Sequence, residues 1–173
     1  IVDSAADDLK TERCTYVTGI HLDSVETAAA EFMEVKQLEG KLGGRVCYHG
    51  YQSFREDEVD ADTAHKIGVA LATVLWGDRF QVVVATHCNT NHYHNHFVLN
   101  SVSDVDGLNF YNSPADYRRM REVSDRLCKE FGLSVIKHPE GRGKNYGEVV
   151  AEREEKPTRR GIIKADLDRA IEA

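Results

Sequence analysis

Long apolar runs are missing from this sequence. No stretch approaches the roughly 20 consecutive apolar residues that a membrane-spanning helix needs, and the opening IVDSAADDLK lacks the basic and apolar regions of a signal peptide. A cytoplasmic protein with no membrane partner is therefore expected. Cysteine is sparse and scattered: Cys14, Cys47, Cys88 and Cys128 form no CxxC pair. Neither a zinc ribbon nor a disulfide framework is indicated, and the four thiols are expected to be reduced, mostly as core residues. An initiating methionine is missing too, and Ile1 reads as internal to an element, so a fragment of a longer protein is expected. A basic surplus is also absent. The net charge of −7 argues at first against a polyanion ligand, but the average hides an asymmetry. Residues 1–112 carry 8 Lys+Arg against 17 Asp+Glu, whereas residues 113–173 carry 14 against 12. The late basic side chains cluster in DYRRMREVSDR, GRGKNYG and KPTRRGIIK, which on charge alone read first as solvated helix faces.

What is there suffices for one core. A chain of 173 residues with 41% hydrophobic content reads as a single globular domain. TYVTGIHL (15–22) has strand composition, and Asp23 or Ser24 can cap a helix carrying Val25, Ala28, Phe32 and Val35 that ends near Gly40. RVCYHGYQSF (45–54) is a second strand, and Asp60 or Asp62 opens a helix with Ile67, Ala70, Leu71, Val74 and Leu75 on one side, closed by Trp76 and Gly77. RFQVVVATH (79–87) and YHNHFVLNSVS (93–103) are separated only by the polar CNTNH, which favours antiparallel pairing and puts them at the sheet centre. Asp106-Gly107 signals a hairpin before a short LNFY strand, Pro114 opens a long helix, and LSVIK (133–137) reads as a further strand. The last 28 residues read as two polar helices split at Lys156-Pro157, a helical extension over 138–173. Strands with helices on one face predict an α+β sandwich around an antiparallel sheet.

The segment ATHCNTNHYHNHFVLN holds four of the eight histidines within ten residues. On a strand, side chains alternate, so His94 and His96 project from one face about 7 Å apart, and His87 at the end of the paired strand reaches the same point. Clustered imidazoles with no carboxylate repel one another once protonated, and a shared metal accounts for them most simply. His92 falls in the turn and is not expected to be a ligand. Three protein ligands with an open position are the pattern of a catalytic metal site. Imidazole softness favours Zn²⁺, Mn²⁺ or Ni²⁺ over Mg²⁺, but cellular supply can override that order. The chemistry is open at this point between metallohydrolysis and metal-assisted phosphoryl transfer.

The spacing His87-x-Asn89-x4-His94-x-His96-x3-Asn100 resembles the third motif of MobA/MobL-type conjugative relaxases, H-x-D-x4-H-x-H-x3-N, which contains the HUH metal motif. HNHFVLNSVSDVDG, RRMREVSDRLCKEFGLSVI, and YHGYQSF followed by AHKIGVALA resemble that family in the same order, so the likeness covers nearly the whole chain. It implies a relaxase catalytic domain over residues 1–173 with the HUH fold, a central antiparallel sheet backed by helices as in the replication-initiator palm. It implies a metal, Mn²⁺ or Mg²⁺ with Zn²⁺ or Ni²⁺ able to substitute, on His87, His94 and His96, and places Asn89 and Asn100 among the catalytic residues. It also implies binding of single-stranded origin-of-transfer DNA and work alongside accessory DNA-binding and coupling proteins.

Two positions depart from the family pattern. Asn89 stands where Asp is usual, removing a charge able to orient a metal-bound histidine. Asn95 puts an amide where HUH has an apolar residue, so it must find hydrogen-bond partners. The family's nucleophile is a tyrosine that becomes linked to a 5′ phosphate. Ile1-Val2 followed by Lys10-Thr11-Glu12 resembles the segment after it, which puts that tyrosine just before Ile1, with Tyr48 and Tyr51 as internal fallbacks. Arg118, Arg119 and Arg121, with Arg142 and Lys144 in the glycine loop, are the expected phosphate contacts. A three-histidine metallohydrolase of a small substrate and an HUH-like module that binds origin DNA without cutting it are the competing readings.

Overall fold

The computed structural model describes residues 16–88 and 93–137. Apart from Ile136 and Lys137 these fall within the first of two units, Ile1–Val135, the second being Ile136–Ala173. The extension expected over 138–173 lies outside the described residues, as does Cys14; Cys47 and Cys128 are free thiols. Among the described residues no helix is long and apolar enough to cross a membrane.

Four strands form one antiparallel sheet: β1 (Val17–Ile20), β2 (Cys47–Ser53), β3 (Val82–His87) and β4 (His94–Asn100), in the order β1-β3-β4-β2. The two strands read as central are central. Every residue of β3 is buried, which is why its sequence, VVVATH, is apolar almost throughout instead of alternating. Among the described residues three helices pack on this sheet: α1 (Ala28–Leu38), α2 (Ala61–Trp76) and α3 (Pro114–Glu130). In α2 the buried positions are Ala64, Ile67, Gly68, Leu71 and Ala72, the i, i+3, i+4, i+7, i+8 stripe of an amphipathic helix. The Asp60 side chain caps it by accepting from Thr63 N at 2.8 Å. Ser113 and Asp116 form a reciprocal capping box at α3, with Pro114 in the first turn.

The helices do not share one face. Val82, Val84, Phe97 and Leu99 form one core with Ile67 and Leu71 of α2 and Val123 and Leu127 of α3. Val83, Ala85 and Val98, whose side chains point the other way, form a second core with Ala28 and Phe32 of α1. The α+β class stands, but the one-sided sandwich does not. A strand buried on both faces demands cover on both, and α1 supplies the second. That helix also starts later than Asp23 or Ser24, because the Glu31 carboxylate draws the backbone N–H groups of both residues into a preceding turn.

Two short expected strands are corrected. LNFY contributes an isolated bridge, Val102 with Asn109, across the Asp106-Gly107 turn, where Gly107 takes φ +70°. LSVIK is not a strand: Leu133 N closes α3 on Cys128 O at 2.8 Å, and Ser134 N donates to the Glu58 carboxylate. Backbone donors committed to caps are lost to a ladder.

Candidate metal centre

The β3–β4 register sets His87 directly opposite His94 and Ala85 opposite His96. All three histidines therefore stand on the α1 face, at the end of the ladder beyond the apolar core that α1 covers. His87 is buried and His94 and His96 are half-buried. The ring of His87 lies 4.0 Å from that of His96 and 5.0 Å from that of His94, centroid to centroid. One ligand nitrogen from each histidine lies within 4.8 Å of the others. Donors bound at about 2.1 Å to one ion can be no more than about 4.2 Å apart, so small ring rotations close the set around a metal. An all-imidazole trio suits a borderline divalent ion that keeps an exchangeable position.

A fourth histidine, not singled out in the sequence, joins them. The edge strand β2 pairs with β4, placing Tyr51 opposite His96 and His49 opposite Val98, on the same face. His49 Nε2 lies 2.7 Å from His96 Nδ1. Desolvation lowers the His49 pKa from its ordinary value. The even spacing from His49 to Tyr51 on a strand was a usable signal, but only once β2 was known to border β4.

Behind the histidines, on the opposite sheet face, runs a chain of buried polar groups. Thr86 Oγ1 donates to Asn95 Oδ1 at 2.7 Å, and Asn95 Nδ2 donates to Gln52 Oε1 at 3.0 Å and Ala64 O at 2.8 Å. Gln52 Nε2 continues to Ser124 Oγ at 2.7 Å. Since the Thr86 hydroxyl hydrogen goes to Asn95, the 2.8 Å contact between Thr86 Oγ1 and His65 Nδ1 has histidine as donor. That leaves His65 Nε2 to accept from Thr18 Oγ1 at 2.8 Å, with the ring neutral. Burial lowers the His65 pKa accordingly. Asn95 thus has the partners that its position required, and it ties β3, β4, β2 and α2 together between the two histidines that flank it.

Other expected site residues are not brought to this point. Asn100, expected among the catalytic residues, ties helix to sheet. Its Nδ2 donates to Phe32 O in α1 and to Gln81 Oε1, and four residues of strand put it about 13 Å from His96. Tyr48 points to the other sheet face, where its hydroxyl donates to Phe110 O at 3.1 Å, so of the two fallback nucleophiles only Tyr51, 69% exposed, shares the histidine face. Arg118, Arg119 and Arg121 are exposed on α3, across the sheet from the histidines. Arg119 lines a cavity of about 710 Å³ with Tyr111, Tyr117 and Met120, and that cavity reaches His49 and Tyr51 at the sheet edge. Asn89, His92, Arg142 and Lys144 lie outside the described residues.

A family model described as relaxase, MobA/VirD2-like, nuclease domain, matches residues 4–133. The chain is 35% identical over 132 residues to "Protein rlx" of Staphylococcus aureus, covering 76% of this chain and 41% of that protein. It is 25% identical over 170 aligned residues to "Group II intron-interrupted relaxase LtrB" of Lactococcus lactis subsp. cremoris (strain MG1363), covering 76% of this chain and 30% of the relative. The chain thus spans less than half the length of either. A solved structure presented as "Molecular Basis of Vancomycin Resistance Transfer in Staphylococcus aureus" aligns with a TM-score of 0.49 and 14% identity, covering 73% of this chain and 74% of that one.

Proposed function

Because this chain belongs to the relaxase family, through its MobA/VirD2-like nuclease domain, we propose that it nicks one strand of DNA at a mobile element's origin of transfer, using a metal held by His87, His94 and His96. The convergence of those three imidazoles at one end of the sheet carries the reading. A small-substrate metallohydrolase would share the trio but not the family match over residues 4–133.

His87, His94 and His96 would hold a divalent ion, which would supply positive charge to a non-bridging oxygen of the scissile phosphate. The chain's own residues hold and aim the strand. Tyr51 and the aromatic rim at Tyr111 and Tyr117 offer faces on which unpaired bases stack, and the exposed Arg119 beside them can donate hydrogen bonds to a phosphate. In the step itself a tyrosine oxygen forms a bond to phosphorus as the bond to the 3′ oxygen breaks. The phenolic proton goes to a base or water, a proton reaches the departing 3′ oxygen, and a 5′-phosphotyrosine retains the bond for rejoining. The proposed nucleophile is a tyrosine upstream of Ile1, with Tyr51 the internal alternative. Single-stranded origin DNA is the proposed partner, alongside accessory and coupling proteins of a transfer apparatus.

The test incubates labelled single-stranded origin oligonucleotide with Mn²⁺ and protein, and resolves products on a denaturing gel. The 173-residue chain should bind without forming a DNA-linked band, and a chain extended upstream should form one. In the extended protein His94→Ala or His96→Ala should abolish both stoichiometric Mn²⁺ binding and the band while leaving the fold intact. An adduct from the 173-residue chain would move the nucleophile to an internal tyrosine, to be identified among variants beginning with Tyr51 and Tyr48. Binding with no adduct from either chain would leave a DNA-binding module in place of an endonuclease.

A further inference from the structure

The contact between His49 and His96 has a chemical direction. The two ring planes are within 20° of parallel, with centroids 4.9 Å apart and a nitrogen-to-nitrogen distance of 2.7 Å. That combination sets the rings edge to edge, as an in-plane N–H···N bond requires, instead of face on face. Such a bond needs one N–H and one lone pair, and two arrangements satisfy it. If His49 Nε2 donates, His96 spends the lone pair of Nδ1 and carries its proton on Nε2. If His96 Nδ1 donates, the Nε2 lone pair of His96 remains for a metal, and His49 keeps its own proton on Nδ1. Only the second is compatible with His96 as a ligand.

We propose that His49 is a positioning residue of the metal centre, holding His96 in the Nδ1–H tautomer and at the ring rotation that turns Nε2 toward the nitrogens of His87 and His94. The inference rests on the three-histidine metal reading above. The placement is built by the sheet: His49, paired with Val98, stands diagonally across the β2–β4 ladder from His96, whose direct partner is Tyr51. His49 is exposed on an edge strand and belongs to neither core. Replacing it therefore leaves the folding interior untouched. Partners of this kind raise the basicity of a ligating imidazole and restrict its rotation, and their loss typically costs 10–100-fold in metal affinity.

The experiment is Mn²⁺ titration of the purified chain and its variants, with thermal unfolding of the metal-free proteins followed in parallel. His49→Ala and His49→Phe, the second keeping a flat ring without an acceptor, should each weaken Mn²⁺ binding by about 10–100-fold at an unchanged metal-free unfolding midpoint. His49→Gln, whose side-chain carbonyl can accept from His96 Nδ1, should restore most of the affinity. His94→Ala in the same titration tests the centre itself. Undiminished Mn²⁺ binding by His94→Ala overturns the metal centre as a whole. Loss of binding in His94→Ala with wild-type affinity in His49→Ala and His49→Phe overturns the positioning role alone. A His49→Gln protein as weak as His49→Ala overturns it too, because a carbonyl acceptor then fails to replace the imidazole.

Discussion

At His65 a single tautomer is imposed by neighbours on two adjacent strands. Thr18 must donate to it and Thr86 must accept from it, so the neutral ring fits and a protonated ring loses an acceptor nitrogen that Thr18 uses. Burial keeps its folded pKa below the ordinary 6.5, a shift that Asp62 partly opposes. The sign follows: below 6.5 the unfolded chain takes up the proton first. The stabilisation is complete above pH 6.5 and is lost as pH falls from there through the folded pKa. Urea unfolding at pH 8 and pH 5.5 should show a loss of stability on acidification, and His65→Gln should flatten it. Because desolvation also lowers the pKa of His49, the flattening should be partial. An unchanged difference between the two pH values in His65→Gln would remove His65 as its source.

Between elements, α2 approaches β4 closely at Gly68. A methyl group at Gly68 would stand 2.5 Å from Asn95 Nδ2 and 2.6 Å from its Cγ, and Asn95 cannot retreat without breaking its bonds to Thr86, Gln52 and Ala64. Gly68 thus has a steric reason that outweighs its roughly 1 kcal/mol helix penalty. Gly68→Ala should destabilise the protein by about 1–3 kcal/mol, the usual cost of overfilling a core. Asn95→Ala should do so separately, by leaving Thr86, Gln52 and Ala64 short of partners. The double variant should lose less than the sum, since removing the amide makes room for the methyl. Strict additivity in urea denaturation would mean that the helix and strand accommodate the methyl elsewhere. The same tie makes metal affinity in Asn95→Ala a sensitive readout, because His94 and His96 flank the residue that holds their strand against α2.

For the molecule as a whole, the question is how a chain of net charge −7 would hold the proposed polyanion. Local concentration of cations answers it better than the average, and α3 carries Arg118, Arg119 and Arg121 in an exposed row of four positions. Affinity for single-stranded DNA should fall with salt by about 0.7 log units per log unit of salt for each phosphate neutralised. Replacing the three arginines by alanine should reduce that slope by up to about 2. A slope unchanged in the triple variant would shift the phosphate contacts away from α3. Because α3 lies across the sheet from the histidines, the proposed path of the strand runs from the metal centre over the β2 edge, past Tyr51, into the cavity beside Arg119.

What the sequence determined by itself is local or nearly so. The β3–β4 pair and the shared face of His87, His94 and His96 were readable because a short polar turn joins the strands and side chains alternate along them. The α2 stripe, its Asp60 cap and the Ser113-Pro114 start of α3 were readable because helix periodicity and capping depend on residues a few positions apart. The demand of Asn95 for partners was visible, but not who would meet it. Tertiary structure decided everything that depended on long-range neighbours. It set β2 beside β4, and with it the contact of His49 with His96. It sent α1 to the face opposite α2 and α3, turned Asn100 into a tie to that helix, and moved the α3 arginines away from the histidines. Which strand borders which, and which face a helix covers, follow from burying two apolar faces at once, a condition that belongs to the assembled sheet and to no segment of it.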